Sequence, residues 1–333
     1  MSSMIRFGTV GTGFITEAFI KGAHKSGAME LTALYSRDEE KAQQFLHSMG
    51  LKVPVFTSLE EMASSQLIDA AYIASPNAMH SPQAKVFLTH GKHVLVEKAA
   101  ASNKKELQEV LDLAEKNHLV FMEAMKSLTM PAYVLLKELL PEIGQVRKYI
   151  GNYCQYSSRY DRHKAGEFVN TFQKEFSNGS LLDIGIYPLY IAVDLFGKPE
   201  KISAQATILP EGGVDGSGSI LLSYNDMEAV ILHSKISHSY LPSEIQGEKG
   251  SILIDRIGSP TELTLIRRSG EKEVFRPETF EEDMAYEALE FSETIRRGAS
   301  FSPVNNKALA LTVHEIMDEA RNQIGLVYPR DLI

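Results

Sequence analysis

The segment IRFGTVGTGFITEAFIKGAH, Ile5–His24, decides the fold of this chain. An apolar, strand-like run ends at Val10, Gly11 and Gly13 follow at once, and the residues after them take up helical spacing. Glycine at those two positions lets the backbone turn tightly and come close to a pyrophosphate. Such a group sits at a helix N-terminus, where unsatisfied N–H groups and the helix dipole favour negative charge. The loop therefore supplies Gly11, Thr12, Gly13, Phe14 and Ile15 as candidate dinucleotide contacts. Thr16 stands where the third glycine of G-x-G-x-x-G belongs, so the motif rests on its setting in a strand-turn-helix-strand unit.

Further along, strand-like runs at Met4–Val10, Leu31–Tyr35, Ile68–Ala74, His93–Glu97 and Val120–Glu123 alternate with amphipathic segments. That alternation implies crossover connections and a parallel sheet. In NKKELQEVLDLAEKN, Asn103 is a candidate N-cap with Glu106 three residues on, and Leu107, Val110, Leu111 and Ala114 form one apolar face. After Glu123 the texture changes to strand-like segments joined by Gly, Pro, Asn and Ser turns: YIGNYCQY, ISAQATIL, GSILLSY, AVILHSKIS, GSILID, ELTLIRR and EVFRP. Short turns between consecutive strands favour antiparallel pairing. The predicted architecture is α/β: a doubly wound Rossmann domain over residues 1–123, then an α+β domain with a large, mostly antiparallel open sheet over 124–333. Helices are expected at Pro131–Leu140, Leu181–Phe196, Glu282–Arg297 and Asn305–Ile324.

Composition narrows the function. The 333 residues are 44% hydrophobic and 23% charged, which suits a folded chain with ample apolar material for two cores. A net charge of −9 argues against nucleic acid as a partner. The basic and aromatic stretch VRKYIGNYCQYSSRYDRHK, Val146–Lys164, reads as a strand followed by a surface loop. Cys154 is the only cysteine, so no intrachain disulfide or cysteine-based zinc site is expected. There is no H-E-x-x-H and no paired histidine spacing, and no metal is expected. The opening MSSMIRFGTV lacks an apolar signal region, and no uninterrupted apolar run is long enough to cross a bilayer. A cytoplasmic protein without membrane attachment is the expectation.

The second strand ends in Tyr35, Ser36 and Arg37. A hydroxyl and a guanidinium suit a 2′-phosphate better than a bare ribose, so NADP is favoured over NAD. Asp38 follows one residue late for the acidic role, although a shifted loop would let it compete. In YIASPNAMH, Ser75, Pro76 and Asn77 form a turn at the carboxyl end of a parallel strand, where such sheets bind ligands. His80, just beyond, is a further candidate whose blander role is to cap or open the next helix. HVLVEKAAAS, His93–Ser102, ends its strand on Glu97 and Lys98, which alternate to opposite faces and flank the expected cofactor cleft.

Taken together, VGTGFIT, YSR, ASPNAMH, GKHVLVEKAAAS and NGSLLDIGIYPLYIAVDLFG resemble the Gfo/Idh/MocA oxidoreductases, the glucose-fructose oxidoreductase and inositol dehydrogenase superfamily. Asp183-Ile-Gly185-Ile-Tyr187 looks most like the branch of dimeric dihydrodiol and xylose dehydrogenases. The resemblance implies hydride transfer between a nicotinamide and a carbohydrate or related secondary alcohol. It also implies that Lys98 and Tyr187 meet across the domain cleft, with Asp183 orienting Lys98 or the substrate hydroxyls, and that the chain dimerises through its second sheet. The residues fit that chemistry: on a helix Asp183 and Tyr187 share a face, with Tyr190 or Ile191 and Asp194 on the turns beyond. Alcohol oxidation needs a base for the hydroxyl proton, and a phenol beside an ammonium can take or return it. Two departures stand out. Ala99 replaces the family's usual proline after Glu-Lys, and Leu128 and Met130 stand where polar substrate contacts are common, which points to a smaller or more apolar alcohol. Lys126 is either a displaced charge for that wall or a solvated lysine. The competing reading from another class is a non-catalytic NAD(P)-binding regulator, which would have no need of Lys98 and Tyr187 together.

Overall fold

The computed structural model describes residues 4–333. Two compact units emerge, one formed by residues 4–126 with Phe280–Lys307, the other by Ser127–Thr279 with Ala308–Ile333.

The first unit runs β1 (Ile5–Val10), α1 (Phe14–Ser26), β2 (Met29–Tyr35), α2 (Glu39–Ser48), β3 (Val55–Phe56), α3 (Leu59–Ser64), β4 (Ala70–Ile73), α4 (Asn77–Thr89), β5 (His93–Glu97), α5 (Lys104–Lys116) and β6 (Phe121–Ala124). Its six strands lie in the order β3-β2-β1-β4-β5-β6, and every pair is parallel. This is the doubly wound sheet the alternation predicts, with the order reversing between β1 and β4, where such sheets open a ligand crevice. The short edge strand β3 is the one the hydrophobic pattern does not announce. Asn103 caps α5 by accepting from the Glu106 N–H at 2.9 Å, while the Glu106 carboxylate reaches back to the Ser102 N–H at 3.2 Å.

The second unit contains α6 (Pro131–Leu139), β7 (Val146–Cys154), the short α7 (Tyr160–Lys164), α8 (Ile186–Phe196), β8 (Lys201–Ile208), β9 (Asp215–Ser223), β10 (Glu228–Ser234), β11 (Ser243–Gly247), β12 (Gly250–Ile254), β13 (Leu263–Arg267) and β14 (Lys272–Phe275). These eight strands form one sheet in the order β14-β13-β12-β11-β7-β10-β9-β8, antiparallel except between β7 and β10. Side chains alternate faces as pleating requires. The row Leu222, Ala229, Tyr149, Ile245, Ile252, Leu265 is buried across the sheet, whereas the adjacent row Leu221, Val230, Ile150, Glu244, Leu253, Thr264, Val274 is half-buried or exposed.

After β14 come α9 (Ala285–Arg296) and α10 (Lys307–Gln323). The segment Phe280–Lys307, which the sequence assigns to the second domain, packs with the first unit. Met284, Ala288 and Phe291 join Phe7, Phe19 and Tyr72 in its core. Close approach of α1 and α9 depends on Gly22, where a Cβ would lie 2.7 Å from the Ala285 nitrogen. The helical stretch Lys174–Phe196 is long and apolar enough by composition to cross a membrane, yet 78% of its apolar window is buried, so it is a core helix of the second unit.

Candidate active site

In the first unit the candidate residues gather at the carboxyl ends of β1, β2, β4 and β5. Gly11 has φ +120°, a region costly for any residue with a Cβ, and a Cβ there would sit 2.9 Å from the Ala74 carbonyl oxygen. Gly13 serves differently. It is the N-cap of α1 with no side-chain cap, and a Cβ on it would meet nothing within 4 Å. An uncapped helix N-terminus beside open space is what a pyrophosphate requires, so the loop fits a dinucleotide. Phe14 is exposed next to it, and Thr16, in place of the third glycine, is buried.

At the end of β2, Arg37 is exposed and Ser36 half-buried. Asp38 is committed elsewhere: it caps α2, accepting from the Lys41 N–H at 3.0 Å, and its own N–H donates to the Ser36 hydroxyl at 3.1 Å. That role takes its carboxylate away from competition for a ribose. At the end of β4, Ser75 donates to the Gln83 amide oxygen at 2.6 Å, Pro76 precedes the first turn of α4, and Asn77 opens it.

Two residues read as cofactor contacts turn inward. His80 is fully buried, its ring nitrogens 2.8 Å from the Ala99 carbonyl and 2.6 Å from the Ser75 carbonyl. Burial pushes its pKa down, and those two carbonyls pull against the shift. It ties the β4 loop to the residue after Lys98. Glu97 is also buried and accepts a hydrogen bond from the Tyr72 hydroxyl at 2.6 Å. Burial raises its pKa, against the pull of Lys98 and of that hydroxyl. Lys98, the next residue along the pleat, is half-buried, and the Lys98–Ala99 peptide is cis. The chain beyond it is held by Glu123, which accepts from the Ala100 N–H at 2.7 Å. This backbone is wedged between neighbours, which explains the run of small, buried residues Ala99, Ala100 and Ala101.

Sequence reasoning missed Glu287 on α9. Both of its carboxyl oxygens are buried without a hydrogen-bond partner, and burial, with the Glu97 charge adding, holds its pKa well above the ordinary carboxylate range. Lys126, whose role the sequence left open, forms an ion pair with Asp283 at 2.6 Å.

In the second unit the expected helix over Leu181–Phe196 is not uniform, because Leu181–Gly185 forms a π turn before α8 begins. Asp215 holds that turn, accepting from the Leu181 N–H at 2.7 Å and from the Ser180 hydroxyl at 2.8 Å, with His233 Nδ1 2.6 Å from the same hydroxyl. Gly179, at φ +141°, lies so close under Asp215 that a Cβ could not fit. Along Leu181–Val193 only Asp183 and Tyr187 escape burial. The Lys235 ammonium donates to Asp183, and the Tyr187 ring lies 5.6 Å from that of Tyr153. Asp194, expected on the same face, instead pairs with the Tyr133 hydroxyl at 2.5 Å and Lys137 at 2.6 Å. Leu128 and Met130 are buried as well, so they offer no apolar wall to a substrate. Lys235 escaped the reading because its partner lies far off in sequence. The available signal was a lysine at the end of the apolar strand AVILHSKIS. Among the described residues, no group of three His, Cys, Asp or Glu is placed to hold a metal ion.

This geometry has close relatives. The Gfo/Idh/MocA oxidoreductase family with an NAD-binding Rossmann fold matches residues 5–125, and the Gfo/Idh/MocA C-terminal domain matches residues 134–253. The chain is 47% identical over 328 residues to scyllo-inositol 2-dehydrogenase (NADP(+)) IolU of Bacillus subtilis (strain 168), covering 98% of this chain and 99% of that protein. It is 32% identical to trans-1,2-dihydrobenzene-1,2-diol dehydrogenase of Mus musculus, covering 98% and 99%. Among solved structures it is similar to KijD10, a 3-ketoreductase from Actinomadura kijaniata in complex with NADP and TDP-benzene, with a TM-score of 0.84, 21% identity, and coverage of 97% and 98%.

Proposed function

The chain belongs to the Gfo/Idh/MocA oxidoreductase family, and from that premise we propose an NADP-preferring dehydrogenase of a polyol or dihydrodiol, with Lys98 and Tyr187 in proton transfer. It is an NAD(P)-dependent oxidoreductase of CH–OH groups. One observation carries the finer reading: a thirteen-residue buried helical stretch opens to solvent only at a carboxylate and a phenol, Asp183 and Tyr187. The NADP+-dependent inositol dehydrogenase at 47% identity supports a polyol and NADP.

In this reading the loop Gly11–Ile15 would hold the pyrophosphate, Ser36 and Arg37 would receive the 2′-phosphate, and Ser75, Pro76 and Asn77 would line the nicotinamide half. The bound cofactor would supply the hydride chemistry at the substrate carbon. Tyr187 and Lys98 move the hydroxyl proton, the ammonium favouring phenolate and opposing developing negative charge. Asp183 accepts a hydrogen bond from a substrate hydroxyl. The half-exposed row on the second sheet, apolar except at Glu244 and Thr264, supports pairing of two copies through that face.

The test combines scyllo-inositol, myo-inositol and a trans-dihydrodiol with NADP+ or NAD+. Cofactor fluorescence reads cleanly, since the chain has no tryptophan. Lys98→Met is expected to abolish turnover while NADPH affinity stays near wild type. Retained turnover would remove Lys98 from the mechanism, and tighter NADH than NADPH binding would overturn the cofactor preference.

A further inference from the structure

We propose that Lys235 is a positioning residue of the active site, fixing Asp183 as the acceptor that receives a substrate hydroxyl beside the reacting one. The proposal deepens the reading of Asp183 above and rests on it. Lys235 follows β10 directly, and its surroundings are unlike those of a surface lysine. Its N–H donates to the Gly216 carbonyl at 2.8 Å and its carbonyl accepts from the Ser157 N–H at 2.8 Å. The Ser234 hydroxyl accepts from the Ile236 and Ser237 N–H groups at 3.2 and 3.0 Å and turns the chain just there. The backbone is thus fastened on both sides, and the side chain has one way to go.

That way leads between an aromatic ring and a carboxylate. The ammonium lies 5.2 Å from the centre of the Phe172 ring on one side and donates to Asp183 on the other. Phe172 is itself braced, with His163 stacked on it at 4.8 Å and Tyr160 at 5.5 Å. The pair is asymmetric: the Lys235 side chain is 5% exposed and that of Asp183 31%. A lysine sealed from water loses hydration that one ion pair only partly restores, and a whole buried pair can often be replaced by apolar residues with no loss of stability. Stability alone therefore gives little reason for this lysine. Its effect on Asp183 gives one. A carboxylate has about four lone-pair sites, so with Lys235 holding Oδ2 the group stays oriented and can still accept from a ligand. Tyr187, four residues on, then reaches a neighbouring hydroxyl, and the substrate class that uses both groups is a vicinal diol.

The experiment compares Lys235→Met, Lys235→Arg, Asp183→Asn and the double variant Lys235→Met/Asp183→Asn, with trans-1,2-cyclohexanediol as vicinal diol and cyclohexanol as mono-alcohol, at saturating NADP+. Lys235→Met is expected to lose about tenfold or more in kcat/KM for the diol, chiefly through KM. NADPH affinity should stay near wild type, and the ratio of diol to mono-alcohol activity should fall. Lys235→Arg should recover most of the loss, and the double variant should be no worse than Asp183→Asn alone, because the two residues act as one unit. Wild-type kcat/KM in Lys235→Met, or losses that add in the double variant, would overturn the role of Lys235. Should Lys235→Met fail to fold, Lys235→Gln takes its place in the same comparison. If Asp183→Asn itself keeps wild-type kcat/KM, the reading of Asp183 falls instead, a result distinct from failure of the Lys235 proposal.

Discussion

Asp215→Asn tests whether a buried charge holds the turn that carries Asp183. Asp215 is buried completely, and burial pushes its carboxyl up to about 6 from an ordinary 3.8, despite the hydrogen bonds from Ser180 and the Leu181 N–H. The folded chain therefore holds this proton more tightly than the unfolded one. The stability it contributes is complete below 3.8 and lost as pH rises through 6, a swing of about 3 kcal/mol. His233, linked to the same Ser180 hydroxyl, has the opposite sign. Burial lowers its pKa to about 3 from 6.5. Its contribution is intact above 6.5 and drains away as pH falls towards 3. Between pH 7.5 and 4.5 the histidine costs about 3 kcal/mol and the carboxyl returns about 2 kcal/mol, so in the wild type the two nearly offset. In Asp215→Asn only the histidine slope remains. Urea unfolding at pH 7.5 and 4.5, followed by far-UV circular dichroism, should show the variant losing about 2 kcal/mol more than the wild type on acidification. Hydrogen exchange of the Leu181 amide, which donates to Asp215, gives the same comparison at one residue. Equal losses in the two proteins would refute the reasoning.

Gly11→Ala forces a side chain onto a positive φ and against the Ala74 carbonyl, a strain of about 1–3 kcal/mol. Melting temperature and NADPH affinity should both fall, whereas Gly13→Ala, with open space at its Cβ, should weaken NADPH binding with little change in melting. Arg37→Ala should weaken NADPH by about tenfold or more through the loss of charge-assisted bonds and leave NADH unchanged, as competitive titrations would read. Burial pushes the Glu287 carboxyl well above the ordinary carboxylate range, so the stability it lends falls as pH rises through its raised pKa. Glu287→Gln removes that slope and should gain on the wild type as pH rises above the ordinary carboxylate range. A gap in urea midpoints that stays constant with pH would contradict this.

Much of this was legible in the chain. Strand β5 was read to the residue, because a β-branched apolar run is bounded by Gly91 and by two charges. The glycine loop, Ser36 and Arg37 fell where strand ends put them. Strand β11, SEIQG, is not among the strand-like runs of the sequence, yet it lies between β7 and β12. Its pairing is set by tertiary register, which period-two patterning cannot detect in so polar a segment. The π turn has no local signature, since Asp215 and His233 impose it from strands 35 and 53 residues away from Ser180. His80 and Glu97 were correctly placed along the chain, but whether a polar side chain turns inward depends on partners such as Tyr72 and the Ala99 carbonyl, which no spacing rule names.

The return of Phe280–Lys307 to the first unit reaches beyond architecture. A ribosome that has made residue 126 has delivered all six strands of the parallel sheet, but not the helix that covers Phe19 and Gly22. The nascent dinucleotide fold must wait, with part of its apolar surface uncovered, while roughly 150 further residues emerge, which takes on the order of ten seconds. Its completion is thus an event of late synthesis. A fragment cut after β6 would inherit the same bare surface permanently, and would be prone to aggregate rather than to bind nucleotide.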